Sequence, residues 1–102
     1  MIVVVFRVRL KANVDEHSLI RANERMSELA KAMPGYISYK NFIADDGEGV
    51  SIVEFASLET LAAWHDHPEH KTVQERGRNE FFSEYHIQVC MPVRQYGWPG
   101  AT

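Results

Sequence analysis

Cysteine occurs once in these 102 residues, at position 90. A single thiol excludes a disulfide within the chain, and nothing around Cys90 resembles the surroundings of a reactive cysteine. Long apolar runs are also missing: no stretch approaches the roughly 20 residues that a membrane helix needs. Met1 to Leu10 is apolar, but Arg7 and Arg9 interrupt it and no small-residue cleavage site follows, so it does not read as a signal peptide. There is no excess of positive charge. Eleven Lys and Arg face 14 Asp and Glu, a formal net charge of −3, whereas a nucleic-acid binder would show a clustered basic face. Repeats, linkers and low-complexity segments are absent. Lys11-Ala12-Asn13 is no glycine-rich phosphate loop, and the serines at 18, 38, 51, 57 and 83 show no nucleophile elbow. A cytoplasmic single-domain protein with neither nucleic-acid nor membrane partners is therefore expected.

What is present is a regular alternation of patterns. Ile2, Val4, Phe6, Val8 and Leu10 fall on one face of a strand, with Val3, Val5, Arg7 and Arg9 on the other. After a turn, Asp15 is the N-cap of an amphipathic helix whose stripe is Leu19, Ala22, Met26, Leu29, Ala30 and Met33. Pro34-Gly35 ends it. Tyr36 to Ala44 and Val50 to Ala56 read as a hairpin around Asp45-Asp46-Gly47-Glu48-Gly49. Ser57 caps a short helix to Trp64, and Pro68 suits the first turn of a third helix running to about Glu84. Tyr85 to Tyr96 reads as a fourth strand, with an edge or bulge at Pro92.

The order is βαββαβ with the second helical region broken in two. It predicts an α+β, ferredoxin-like protomer: a four-stranded antiparallel sheet with helices on one face. Residues 1–96 form this domain and 97–102 a tail. Apolar residues on both sides of the sheet predict a second sheet covering the first, and a two-fold homodimer paired through that face supplies it.

The segment Trp64-His65-Asp66-His67-Pro68-Glu69-His70 holds three of the five histidines. His-x-His-x-acid-His resembles the zinc motif of the metallo-β-lactamase superfamily. There the ligands follow a strand in a much larger chain; here they follow a helix and straddle a proline, so no metal site is expected. His65 and His67 read as junction residues. On the third helix His70, Val73, Gln74, Gly77 and Phe81 share one inward face. A buried His70 and Gln74 need partners, either backbone or water in a plain helix, or a ligand in a pocket walled by Trp64. Gly77 signals either close packing against the sheet or room for that ligand.

Met33-Pro34-Gly35-Tyr36, Ser51-Ile52-Val53-Glu54-Phe55, Trp64 with His67-Pro68-Glu69-His70, then Gln74, Gly77-Arg78, Phe81-Phe82, Tyr85 and Val93-Arg94-Gln95-Tyr96 together resemble the antibiotic biosynthesis monooxygenase family of the dimeric α+β barrel superfamily. The resemblance spans nearly the whole chain. It implies two ferredoxin-like protomers packed sheet to sheet, and a pocket between helices and sheet with a tryptophan in its wall, matched here by Trp64. The family's characterised enzymes oxidise aromatic polyketides, quinol-like compounds or heme. Several use no metal or flavin, because a deprotonated electron-rich substrate reacts with dioxygen directly. The heme-degrading branch uses an asparagine on the first strand and a histidine on the third helix. Those positions fall at Phe6 and at or near Gln74, and neither residue type is kept.

The resulting expectation is a cofactor-independent monooxygenase for a small phenolic or quinol-like compound. The alternatives are a non-enzymatic small-ligand-binding or stress-response barrel, and a heme-binding relative. His70 would be the base and Trp64 its catalytic neighbour. Phe6 would help hold the ring, Gln74 or Arg78 would stabilise a developing oxyanion, and Phe81 would complete the substrate wall.

Overall fold

The computed structural model describes residues 1–99. The elements are β1 (Ile2–Leu10), α1 (Glu16–Ala32), β2 (Tyr36–Ile43), β3 (Gly49–Phe55), α2 (Leu58–His65), α3 (Pro68–Arg76), a π turn (Gly77–Phe81) and β4 (Phe82–Cys90). The strands form one antiparallel sheet in the order β2-β3-β1-β4, the ferredoxin-like arrangement expected from the element order. Of the tail at 97–102, residues 100–102 lie outside the described residues. Among the described residues no helix is long and apolar enough to cross a membrane.

Local chemistry sets the helix starts. The Asp15 carboxylate accepts the backbone N–H groups of His17 and Ser18. Ser57 and Thr60 form a reciprocal capping box on α2. His67 is itself the N-cap of α3: its Nδ1 accepts the Glu69 N–H at 3.1 Å, with Pro68 in the first turn. Each cap satisfies a donor that the first helical turn leaves free.

Opposed residues of antiparallel strands share a face, so the register sorts the sheet. Val4 lies opposite Val53 and Val89, and Phe6 opposite Ser51 and Ile87; these form the face toward the helices. Val3 and Val5, with Glu54, Ile52, Cys90 and Gln88 opposite them, form the outer face. The core is built from Ile2, Val4, Met26, Leu29, Ala30, Val53, Phe55 and Trp64. On β4 the inward residues Tyr85, Ile87 and Val89 stay 37%, 45% and 52% exposed. The helical layer therefore leaves that flank of the sheet uncovered.

Two boundaries differ from the sequence reading. The third helix stops at Arg76 instead of running to about Glu84, and the last strand spans Phe82–Cys90 instead of Tyr85–Tyr96. Between them the Phe82 N–H reaches back to the Gly77 carbonyl, a π-type turn holding one residue more than an α turn. The Lys11 N–H to Phe81 carbonyl bond at 2.8 Å ties that turn to the end of β1. A Cβ on Gly77 would sit 2.7 Å from the Phe82 ring, so close packing at the head of β4 accounts for the glycine. At the other end, Cys90 pairs with Val3, close to where β1 begins. Beyond it the alternation of Met91 and Val93 has almost no partner strand left, and Pro92 lacks a ladder donor.

Candidate functional site

A cavity of about 470 Å³ lies between the helical layer and the inner sheet face. Its floor is Val4, Phe6, Ser51, Val53 and Tyr39; its β4 side is Phe82, Tyr85, Ile87 and Val89; its roof is Leu58, Leu61, Trp64, His65, His70, Val73 and Gln74. Such a volume and a mostly apolar lining suit a small organic ligand.

Trp64 is placed by the short, capped α2. It is only 6% exposed, stacks on Phe55 with ring centroids 5.5 Å apart, and meets Tyr39 edge-on at 6.0 Å. The His70 ring stands edge-on to it at 4.4 Å. Two side-chain nitrogens here are buried without a hydrogen-bond partner: Trp64 Nε1 and His70 Nδ1. Buried polar groups in folded proteins are normally paired, so an orphaned pair on touching rings beside a cavity is a feature of a ligand site. The first turn of α3 is held against α1 by a two-pronged ion pair, Arg25 Nε and Nη2 to Glu69 at 2.6 and 2.7 Å. That clamp sits one residue before His70.

Burial, then the neighbouring His65 and His67, push the His70 imidazolium down to about 4. At pH 7 about one such ring in a thousand carries a proton, so His70 is a neutral imidazole across the physiological range. On the opposite wall, burial raises the Tyr39 hydroxyl and its contact with Ser51 partly offsets it. The Ser51 hydroxyl donates its one proton to Asn41 Oδ1. Tyr39 and Ser51 give the apolar floor a polar spot.

The expected site residues divide. Trp64, Phe6, His70 and Gln74 all line the cavity. Arg78 does not: it is exposed, with Nη1 donating to the Tyr85 hydroxyl at 3.4 Å. Phe81 does not either; it is buried beneath the Arg76 guanidinium, and Phe82 takes the wall position. The extra residue of the π turn advances the helical phase by one, which puts Phe82 where Phe81 was expected. Sequence reasoning missed Tyr39, Ser51 and His65. Tyr39 and Ser51 could have been found from strand register, had the inner face been assigned. No signal pointed to His65, which periodicity alone placed at a junction.

Residues 1–76 match the family model described as antibiotic biosynthesis monooxygenase. An uncharacterized protein of Bacillus subtilis, YqjZ, is 31% identical over 72 residues, 71% of this chain and 63% of that protein, so this chain spans under two thirds of that relative's length. Among solved structures, Rv0793 from Mycobacterium tuberculosis superposes with a TM-score of 0.82 at 18% identity, covering 94% of this chain and 98% of that one. SnoaB, a cofactor-independent oxygenase from Streptomyces nogalater, superposes at 0.77 with 10% identity, covering 92% and 94%. At such identities the superpositions speak for the fold, whereas the sequence matches speak for descent. On a family match reaching from β1 to the end of α3, this chain belongs to the antibiotic biosynthesis monooxygenase family.

Proposed function

We propose that the protein is a cofactor-independent monooxygenase that binds a small phenolic or quinol-like compound beside Trp64 and oxidises it with dioxygen. The observation that carries this is the largely apolar cavity lined by Trp64 and His70, whose Nε1 and Nδ1 have no hydrogen-bond partner. The reaction needs no external reductant. A phenol with a free para position plus O₂ gives a quinone plus water, and a quinol with a free ring position plus O₂ gives a hydroxyquinone plus water: in each, four electrons leave the ring, and O₂ accepts them. Membership in the family and a fold shared with a cofactor-independent oxygenase support the reading.

Trp64 and Phe6 flank the ring, and neutral His70 hydrogen-bonds and orients the reacting oxygen. Gln74 faces the same space and stabilises the developing oxyanion. Oxygen uptake with a panel of hydroquinones and anthrones is the test. At least one should be consumed above its spontaneous rate, and His70→Ala should lower that rate roughly a hundredfold, as for the loss of one oriented hydrogen-bonding group. No uptake with any compound, or an unchanged rate in His70→Ala, would sink the proposal. Binding without uptake would leave a small-ligand-binding barrel in its place.

We also infer that two copies pair across the outer sheet face. Val3, Val5, Val50 and Ile52 there are half-buried in one chain, and Phe42 is 51% exposed. The ion pairs Arg7–Glu48 and Arg9–Asp46 border them at the hairpin end of the sheet. An apolar centre with charge at its edge is the pattern of an interface. Light scattering should give about twice the 11.7 kDa chain mass. Val5→Glu, which puts a charge at the centre of that face, should yield monomer with its helix content kept. A wild-type chain that scatters as a monomer would refute the pairing.

A further inference from the structure

His65 and His70 both line the cavity, with ring centroids 5.5 Å apart, yet their surroundings are opposite. His70 has an orphaned, buried Nδ1 and is half-buried against an indole. His65 has a partner on each ring nitrogen: Asp66 Oδ1 lies 3.1 Å from Nδ1, and Gln74 Nε2 lies 3.4 Å from Nε2. The two contacts select one tautomer. A carboxylate at Nδ1 requires the proton there, which leaves the Nε2 lone pair to accept from the Gln74 amide. Gln74 is itself a cavity residue, so the unprotonated nitrogen of His65 meets a side chain of the ligand space.

We propose that His65, held by Asp66, is the proton acceptor of this site, and that His70 only orients the substrate. The assignment rests on the phenol-binding reading above and deepens it. The substrate hydroxyl displaces the Gln74 amide from His65 Nε2. The O–H bond breaks, an N–H bond forms on Nε2, and the electron pair stays on oxygen as a phenolate. Gln74, released, donates to that oxyanion. When O₂ is reduced at the ring, one of its oxygen atoms stays on the ring carbon; the other departs as water, taking the proton back from Nε2 together with the hydrogen that the ring carbon loses.

Three features favour this division. The imidazolium formed on His65 gains the Asp66 carboxylate as counter-ion. His65 is also the last residue of α2, where the carbonyl end of a helix favours positive charge. Asp66 is set in place by its own backbone, whose N–H bonds to the Ala62 and Trp64 carbonyls. With side chains 53% and 66% exposed, the pair can exchange protons with water, whereas a charge on His70 would be stranded inside. The ionisable groups around the pair are Asp66 itself, His70 from α3, and His67 at the start of α3.

The test uses the full chain and two probes: 4-nitrophenol, whose phenolate absorbs near 400 nm, and 4-nitroanisole, which has no proton to give. Dissociation constants and the absorbance of bound 4-nitrophenol are measured from pH 5 to 8. In the wild type, bound phenol should ionise at lower pH than free phenol. Asp66→Asn should keep the anisole dissociation constant while reducing the bound phenolate fraction about tenfold at a given pH, the behaviour of a positioning residue. His65→Gln should abolish the downward shift, and His70→Gln should weaken both probes without moving it. A shift that survives His65→Gln but disappears in His70→Gln overturns the proposal while leaving the phenol-binding site standing. If neither probe binds the wild type, the proposal falls together with the reading beneath it.

Discussion

Trp64→Ala is expected to cost about 3–5 kcal/mol, the usual range for deleting a buried large aromatic. In a domain of this size that is roughly 15–30 °C in melting temperature, and a large share of total stability. The reason lies in the packing. Trp64 belongs to the cluster that joins α1, α2 and the sheet, stacks on the fully buried Phe55, and supports Tyr39 and His70 edge-on. Removing the indole opens a void against the ligand cavity and leaves His70 without its wall. Trp64→Phe separates the two roles. It keeps a ring against Phe55, so its stability loss should be clearly smaller. It removes the Nε1–H, which has no protein partner, so affinity for an oxygen-bearing aromatic ligand should still fall. Urea denaturation of both variants checks this. A loss below about 1 kcal/mol for Trp64→Ala would show that the tryptophan is wall only and not core.

Gly35→Ala should be the next most damaging single change, at about 2–5 kcal/mol. Gly35 has φ +82, where an L side chain costs about 1–2 kcal/mol. An added Cβ would also lie 2.6 Å from the Thr60 side chain, and overpacking of that kind costs about 1–3 kcal/mol more. Thr60 cannot simply swing away, because its hydroxyl closes the capping box with Ser57 at the start of α2. The Gly35 carbonyl also receives the Ala56 N–H at 2.8 Å, which ties the α1–β2 turn to the end of β3. Gly47 provides the control. Its φ is +88, but nothing lies within 4 Å of a Cβ there, so Gly47→Ala should show the conformational cost alone. Equal losses at the two positions in thermal denaturation would refute the clash with Thr60.

The two glycines also show how far the sequence reads. Pro34-Gly35 after a helical stripe announced the end of α1, and the turn around Gly47 announced the hairpin, both from chemistry within a few residues. Neither sequence position reveals that one glycine faces Thr60 and the other faces solvent. The same limit governs the site. Trp64, Phe6, His70 and Gln74 came from periodicity and resemblance, and the fold brings all four to one cavity. Phe81 follows from extending an α-helical period through Gly77, where the chain inserts a π turn, and Arg78 from the resemblance alone. That turn follows from ties between distant segments, the Gly77–Phe82 contact and the Lys11–Phe81 hydrogen bond, which no local pattern carries.

The histidine-rich junction divides in the same way. From the sequence alone came the helix break at Pro68, the absence of a zinc ligand pattern suited to this fold, and an inward-facing His70. Strand alternation, helical stripes and caps are local, so they fix the α+β order and the family before any contact is known. Which ring is buried and which is paired is a property of the assembled layers. Only the tertiary structure buries His70 against Trp64 and strips it of its charge. Only there does His65, one residue beyond the tryptophan, meet Gln74 across the start of α3 with Asp66 behind it. The physical reason is that burial and pairing depend on which faces meet, and those faces belong to segments that the sequence pattern describes one at a time.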